Sequence, residues 1–195
     1  MLARSDRALL WRAVTGSCWK LRIYAVDLEE PLEARAPLAA RFTSLSETDL
    51  AAIPDHAGDA SFRQRQEQSL RVFGKSFAFG VYMGDSLAHV SWLLSPEALS
   101  RETLQVLRLK AGEAEITGCE TLPEFRRQGL YCFAIRQICA AARASGVHRI
   151  YMKTLEENKA SQAGIIKAGL KRVGSIRMWT PPLMPSRVVV LRAIR

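Results

Sequence analysis

The sequence predicts a mixed α/β (α+β) domain built on one twisted sheet. Its 195 residues suit a single domain with a substantial core. Hydrophobic residues make up 48% of the chain and charged residues 24%, which is typical of a soluble globular protein. Strand patterns dominate the first half, and strand and helix patterns alternate in the second, which disfavours a barrel or a helical bundle.

The first 36 residues are expected to form an N-terminal extension that packs on a domain spanning residues 37–195. Within them, Met1–Lys20 has the pattern of an amphipathic helix, but Arg12 interrupts its short apolar core and no convincing cleavage site follows. This argues against a signal peptide. A helix packed on its own domain is favoured, and a membrane-surface anchor is the alternative. No apolar run approaches the roughly 20 residues that span a bilayer.

The elements of the first half are marked by alternation and by capping signals. Strands are predicted at Lys20–Leu28, Ala40–Thr43, Ser76–Met83 and Leu87–Leu94, and helices from Ser44 or Ser46 to Ile53 and at Ala60–Phe73. The turn Gly84-Asp85 joins the last two strands as a hairpin. The spacing Ser46-x-x-Asp49 is typical of a helix start, because hydroxyl and carboxylate groups satisfy free helix amides.

The second half alternates between the two kinds of element. Strands are predicted at Glu113–Leu122, Arg149–Thr154, Leu170–Trp179 and Arg187–Ile194, and helices at Arg127–Ala144 and Asn158–Ala168, with an uncertain short helix in 96–107. Asn158 occupies a helix N-cap position and Gly169 the matching C-terminal stop.

The net charge of +9 indicates an attraction to anions in general. The arginines are scattered and no nucleic-acid motif accompanies them, so no nucleic-acid partner is expected. The three histidines and four cysteines include no metal-binding pair and no CxxC, so no metal is expected. Buried thiols in a reducing cytoplasm explain the cysteines, and a cytoplasmic location follows.

The most informative segment is the basic turn between the strand that ends near Pro123 and the long helix after it. The first turn of that helix has free backbone amides and the positive end of the helix dipole. Gly129 allows close backbone approach, and Arg126 and Arg127 add charge, which is typical of an anion cradle. The alternative is a glycine that eases helix entry beside solvated arginines.

Two motifs in this half resemble those of a known family. Arg126-x-x-Gly129-x-Tyr131 is similar to the pyrophosphate loop of the GNAT N-acetyltransferases, and Asn158-x-x-Ser161 followed by Gly169-Leu170 is similar to a later motif of the same family. The resemblance covers about residues 77–176. It implies a mixed, mostly antiparallel twisted sheet of about six to seven strands flanked by helices, with acetyl-CoA or another acyl-CoA as co-substrate.

The resemblance also implies roles for individual residues. The amides of Gln128, Gly129, Leu130 and Tyr131, together with Arg126 and Arg127, would hold the CoA pyrophosphate. The strand edge at Thr121 and Leu122 would pair with the pantetheine arm, and Asn158 and Ser161 would contact the arm or its thiol end. For Asn158, a capping role alone is the alternative.

Catalytic candidates follow from the same comparison and from the chemistry of amines. An amine attacks a thioester only when it is neutral, so a base must remove its proton. Glu115 lies eleven residues before Arg126, which is the position of the catalytic strand glutamate in the family it resembles. Glu120 is expected on the other face of the strand, near the thioester. For each residue, the alternative is a surface glutamate with no catalytic role. The family's thiolate-protonating tyrosine corresponds to Ile165 here. Tyr131, Tyr151, Ser161 or water would then replace it, or no acid is used.

These observations predict an N-acyltransferase that moves an acetyl or other acyl group from acyl-CoA to a primary amine of a small molecule. A catalytically inactive CoA-binding regulatory module is the alternative, and a basic nucleic-acid-binding protein is disfavoured. The absence of a G-x-x-x-x-G-K-S/T run excludes a P-loop NTPase. The basic balance favours an anionic acceptor, and a homodimer is compatible with the sequence.

Overall fold

The computed structural model describes residues 17–29, 31–32, 37, 39–51, 53, 60–73, 77–99, 107–180 and 189–194. The strands in these ranges are β1 (Ser17–Asp27), β2 (Ala40–Leu45), β3 (Phe77–Met83), β4 (Ser86–Leu94), β5 (Glu113–Thr121), β6 (Arg149–Leu155), β7 (Lys171–Thr180) and β8 (Val189–Ile194). The helices are α1 (Glu47–Ala51), α2 (Ala60–Phe73), α3 (Pro96–Leu99), α4 (Leu130–Ala144) and α5 (Lys159–Ala168), with a 3-10 turn at Pro123–Phe125.

All eight described strands form one sheet in the order β2-β3-β4-β5-β6-β1-β7-β8. The β5–β6 pair is parallel, and the six other described pairs are antiparallel. This confirms the predicted mixed, mostly antiparallel sheet, although it has eight strands in the described residues rather than about six or seven.

The N-terminal strand is part of this sheet and does not pack on it as an extension. Within β1, Leu21 lies opposite Leu155 of β6 on one side and opposite Ile176 of β7 on the other. Leu21 and Ile23 are buried on one face of the sheet, because the alternation of apolar residues suits a strand. Ser17–Lys20 are therefore strand and not the end of a helix, and residues 1–16 lie outside the described residues.

The sheet buries a different helix on each face. On the face called here the α4 face, Ile135 and Ile138 of α4 pack with Ile116 of β5. On the opposite face, called the α2 face, Phe62 of α2 packs with Trp92 of β4. The site described below lies between these two layers.

The predicted caps of two helices are confirmed. The Ser46 hydroxyl accepts from the Asp49 amide (3.1 Å), and the Asp49 carboxylate accepts from the Ser46 amide (2.8 Å). Asn158 Oδ1 accepts from the Ser161 amide (3.0 Å) at the start of α5, and Gly169 ends that helix with φ 111°. Glycine is favoured there because only it adopts positive φ without steric cost.

Candidate active site

A cleft between β5 and β6 organises the site. The two strands pair in parallel only over Glu113–Ile116 and Arg149–Met152. Both strands continue beyond that pairing, to Thr121 and Leu155, so they separate toward their C-terminal ends. Helices α4 and α5 follow these two ends in the chain, and both therefore begin at the mouth of the cleft.

A β-bulge interrupts β5 inside the cleft. Trp92 and Val90 of β4, two residues apart, lie opposite Thr117 and Glu120 of β5, three residues apart. The extra residue is accommodated at Gly118, whose φ is 57°. A Cβ there would lie 2.8 Å from Trp92 Cδ1, so both the backbone conformation and the close packing require glycine.

The bulge corrects the predicted orientation of Glu120. Strict alternation after Glu115 places Glu120 on the opposite face. In the structure, Glu115 is paired with Leu94 and Glu120 with Val90, and both partners belong to the core of the α2 face. The extra residue at Gly118 thus returns Glu120 to the face that Glu115 occupies.

The loop before α4 has a row of backbone amides that bind no acceptor in the described part of the chain. Helix α4 begins at Leu130 and not at the predicted Arg127, because Gly129 (φ 81°) and Arg127 (φ 63°) are both left-handed. The first helical hydrogen bond runs from Phe133 N to Gly129 O. Among the described residues, no acceptor binds the amides of residues 128–132. This exposed loop, with the helix dipole behind it, is suited to an anion.

The backbone groups of Thr121 and Leu122 that were expected to pair with the pantetheine arm are hydrogen-bonded within the protein. Arg126 Nε donates to the Thr121 carbonyl (3.1 Å). Leu122 N donates to Ala88 O (3.0 Å), and Leu122 O accepts from Phe125 N (3.0 Å). Leu122 is also fully buried, so it does not offer a free strand edge. The strand ends one residue earlier than predicted because the 3-10 turn at Pro123–Phe125 begins there, with Leu122 as its N-cap.

Tyr131 joins α4 to α5 across the mouth of the cleft. Its hydroxyl lies 3.0 Å from Ser161 Oγ. Its ring packs against Gly164, where an added Cβ would lie 2.5 Å from Cδ1 of the ring. Burial raises the pKa of Tyr131, so the hydroxyl stays protonated at neutral pH. Ile165, the next residue of α5, is fully buried in the core and presents no polar group.

A buried histidine lies beneath Tyr131, with the two ring centroids 6.0 Å apart. His89 Nδ1 is 2.7 Å from Thr121 Oγ1, and His89 Nε2 is 2.7 Å from Ser91 Oγ. Burial lowers the pKa of His89 to about 3, so the ring is neutral. Burial likewise raises the pKa of the Cys119 thiol to about 12, which argues against a thiolate nucleophile at this position.

Glu115 is fully buried and ion-paired. Lys153 Nζ of β6 lies 3.0 Å from Glu115 Oε1 and 3.3 Å from Oε2. On the same face, the Tyr151 hydroxyl donates to Glu113 (3.3 Å), so Tyr151 is directed away from the α4 face. Glu115 thus ties β5 to β6 just where their pairing ends.

Glu120 is held by α2. Arg65 Nε lies 2.9 and 3.1 Å from the two carboxylate oxygens, and Arg65 also contacts Glu120 through a terminal nitrogen. Gln66 Nε2 donates to Glu120 Oε2 (3.0 Å), and Trp92 Nε1 donates to Gln66 Oε1 (3.1 Å). The carboxylate keeps 21% of its exposure, in contrast to Glu115 with none.

Several of these residues have no sequence signal that points to the site. Arg65 and Gln66 are polar residues of a surface helix, and only tertiary structure brings them to Glu120. Lys153 lies two residues beyond Tyr151, the parallel partner of Glu115, and reaches the Glu115 carboxylate from just past the end of the pairing. No group of three metal-binding side chains and no helix long and apolar enough to cross a membrane occurs in the described part of the chain.

A cavity of about 390 Å³ lies at the other end of α4, lined by Phe79, Leu93 and Val147 among others. It is separate from the amide-lined loop at the start of α4.

Residues 43–164 match the sequence profile of the acetyltransferase (GNAT) family. No curated protein sequence matches the chain. Among solved structures, a GCN5-related N-acetyltransferase from Sphaerobacter thermophilus is similar at 11% identity, with a TM-score of 0.60, over 94% of this chain and 59% of that one.

Two further structures are similar at the same level. A GCN5-related N-acetyltransferase from Kribbella flavida has 13% identity and a TM-score of 0.56, over 90% of this chain and 63% of that one. An acetyltransferase of the GNAT family from Colwellia psychrerythraea has 14% identity and a TM-score of 0.55, over 89% and 60%. The chain spans about three fifths of the length of the solved structures it matches. At these identities the likeness establishes the fold.

Proposed function

Because the chain belongs to the acetyltransferase (GNAT) family, we propose that it transfers an acetyl or other acyl group from acyl-CoA to a primary amine of a small molecule. The observation that carries this proposal is the row of amides at residues 128–132 that have no acceptor among the described residues, beside the cleft between β5 and β6. An anionic ligand is the natural partner for such a row.

The chain's own groups would hold the CoA. The amides of Gln128 to Tyr131 donate to the pyrophosphate. Gly129 leaves room for it because, among the described residues, the nearest atom to a Cβ there would be Pro37 Cγ, at 4.0 Å. Arg126 and Arg127 supply exposed positive charge. We place the pantetheine arm along residues 117–120, because Leu122 has no free backbone group. Asn158 caps α5 through its side-chain oxygen and contacts the pantetheine arm through its side-chain nitrogen.

Glu120 is the better candidate for the proton acceptor. The amine nitrogen must lose a proton as it bonds to the acyl carbon and the carbon–sulfur bond breaks. Glu115 is fully buried against Lys153, so an incoming amine cannot contact it without rearrangement. Glu120 is partly open and lies just past the bulge. We therefore assign Glu120 as the base that accepts the proton of the amine.

Tyr131 is the candidate proton donor to the departing thiolate. Its hydroxyl is kept protonated by burial and is oriented by Ser161 at the start of α5. Tyr151, the other candidate tyrosine, donates to Glu113 on the α2 face. The donation contributes little to the rate, because a free thiol ionises near about pH 8.5 and its thiolate is a tolerable leaving group.

The experiment that tests the proposal measures CoA release from acetyl-CoA against a panel of amines that includes amino sugars, polyamines, amino acids and peptides. Turnover with at least one amine supports it, and tight CoA binding with no turnover contradicts it. The second outcome favours an inactive CoA-binding module. Two observations favour that alternative: Tyr131 bridges to Ser161 across the mouth of the cleft, and Ile165 replaces the tyrosine of the family.

A further inference from the structure

A chain of four polar side chains, called here the polar chain, links β4 to β5 on the α4 face, behind Glu120. His89 and Ser91 of β4 are both fully buried. His89 Nδ1 lies 2.7 Å from Thr121 Oγ1, and His89 Nε2 lies 2.7 Å from Ser91 Oγ. Burial raises the pKa of the Cys119 thiol to about 12, and a hydrogen bond between Ser91 and that thiol opposes the rise. Cys119 is therefore the fourth member of the chain.

The neutral imidazole of His89 suits the centre of the polar chain. One of its ring nitrogens donates and the other accepts, and a hydroxyl group takes whichever role its partner requires. Both contacts of 2.7 Å are therefore hydrogen bonds at the same time. At the far end, the Cys119 thiol donates to the Thr117 carbonyl (3.6 Å). An apolar residue at position 89 would remove one partner from each of the two hydroxyl groups, at a cost in free energy.

The polar chain crosses between the strands where the backbone ladder is interrupted. The bulge of β5 lies opposite Ser91. Because a bulge disrupts the ladder and increases the local twist, the backbone constrains β5 least just before Glu120. The hydrogen bond between Ser91 and Cys119 crosses at this point, and the one between His89 and Thr121 crosses at the end of the strand.

Glu120 lies between the two residues of β5 that the polar chain holds. Neighbouring side chains of a strand point to opposite faces. Fixing Cys119 and Thr121 on the α4 face therefore directs Glu120 to the α2 face, where Gln66 donates to its carboxylate (3.0 Å).

From this arrangement we infer that His89 is a positioning residue for the proposed base, because it holds β5 on both sides of Glu120 and so aims the carboxylate at the acceptor amine. His89 is fully buried and itself touches no reacting atom. The inference rests on the proposed acyl transfer, in which Glu120 accepts the proton of the amine.

The competing explanation is that the polar chain only stabilises the fold. In that case, loss of His89 lowers the free energy of unfolding, and any effect on the rate is the same whether or not Glu120 is present. A double-mutant cycle on kcat separates the two explanations, because residues that act through one group have non-additive effects.

The test measures kcat with the best amine of the panel and KM for acetyl-CoA, at a temperature where every variant is folded by circular dichroism. His89→Leu should lower kcat about ten- to a hundredfold, because a displacement of about 1 Å can cost about a hundredfold, and should leave this KM within about threefold. In the Glu120→Gln background, His89→Leu should lower kcat by less than about twofold.

Three results of this cycle overturn the inference while acyl transfer stands. They are an unchanged kcat in His89→Leu, an equal loss in both backgrounds, and an unchanged kcat in Glu120→Gln, since the base then lies elsewhere.

Ser91→Ala and Ser175→Ala form a matched pair that keeps the inference testable if His89→Leu does not fold. Each removes one buried hydroxyl from the sheet, but Ser175 belongs to β7 and lies opposite Arg22 of β1. Ser91→Ala should lower kcat about three- to tenfold, as expected for one lost hydrogen bond in the chain, and Ser175→Ala should leave it within about twofold. Unchanged kcat in Ser91→Ala, or an equal fall in both variants, overturns the inference.

Absence of turnover with every amine contradicts the proposed function and leaves the inference to a structural test. A crystal structure of His89→Leu, or of Ser91→Ala if His89→Leu does not fold, should then show the Glu120 carboxylate beyond about 3.5 Å from Gln66 Nε2. A carboxylate that keeps its hydrogen bond of 3.0 Å to Gln66 overturns the inference in that case.

Discussion

Gly164 is expected to be indispensable because the Tyr131 ring occupies the space beside it. A Cβ at Gly164 would lie 2.5 Å from Tyr131 Cδ1 and 2.8 Å from Cε1, against 3.4 Å for the closest ordinary contact. The ring must therefore move by about 0.9 Å, from 2.5 to 3.4 Å. It is confined by the hydrogen bond to Ser161, so Gly164→Ala strains that bond or breaks it.

Gly164→Ala makes one stabilising and two destabilising contributions to the free energy of unfolding. Replacing glycine by alanine inside a helix gains about 1 kcal/mol. Overpacking costs about 1–3 kcal/mol, and loss of the hydrogen bond costs about 0.5–1.5 kcal/mol. Gly164→Ala should thus destabilise the protein by about 0.5–3.5 kcal/mol, taking these terms together. In a Tyr131→Ala background the clash is gone, and the same substitution should stabilise it by about 1 kcal/mol.

Urea unfolding of the four proteins of this double-mutant cycle measures the coupling directly. The expected coupling energy is at least about 1.5 kcal/mol, the difference between the two backgrounds. If Gly164→Ala stabilises the protein when Tyr131 is present, the ring does not pack against α5, and its proposed position in the cleft is wrong.

Three further outcomes are expected. Glu120→Gln should lower kcat/KM by about two to four decades without changing acetyl-CoA affinity, whereas Glu115→Gln should mainly lower stability; loss of turnover confined to Glu115→Gln would reassign the base. Tyr131→Phe should retain turnover within about tenfold across pH, and a loss beyond about a hundredfold would make its hydroxyl essential. Burial lowers the pKa of His89 from 6.5 to about 3. Between these pH values, His89 is therefore protonated in the unfolded chain and neutral in the folded one. Stability should therefore fall by up to about 1.4 kcal/mol per pH unit as the pH drops through that window, and a His89→Gln variant with the same slope in urea unfolding would contradict this.

Local signals in the sequence were sufficient for the loop and for the caps. Gly129 and the arginines before it predict an anion-binding helix start, and Asn158 and Gly169 predict the bounds of α5. The turn before α4 and the bounds of α5 depend on neighbouring residues in the chain, and the structure has both, with only a shift of the α4 start from Arg127 to Leu130. Anion binding by the loop stays a prediction.

Long-range pairing was beyond the reach of the sequence. The alternation in β1 predicts a strand but cannot show that it lies between β6 and β7. Strict alternation also fails at Gly118, since one extra residue returns Glu120 to the face of Glu115. The contact between Arg65 and Glu120 joins residues 55 positions apart, which no local pattern encodes.

The most direct test of the proposed cofactor site compares two glycines at opposite ends of α4. Gly129 (φ 81°) lies in the amide-lined loop. Gly146 (φ 85°) follows the other end, and apart from its chain neighbours no described residue comes within 4 Å of its Cβ position. Replacing either with glutamate introduces the same backbone strain and the same charge, so the two variants differ in place alone. By calorimetric titration with acetyl-CoA we expect micromolar or tighter binding by the wild type and by Gly146→Glu, and at least about a hundredfold weaker binding by Gly129→Glu. No binding by the wild type, or wild-type affinity in Gly129→Glu, would contradict the assignment of the loop to CoA.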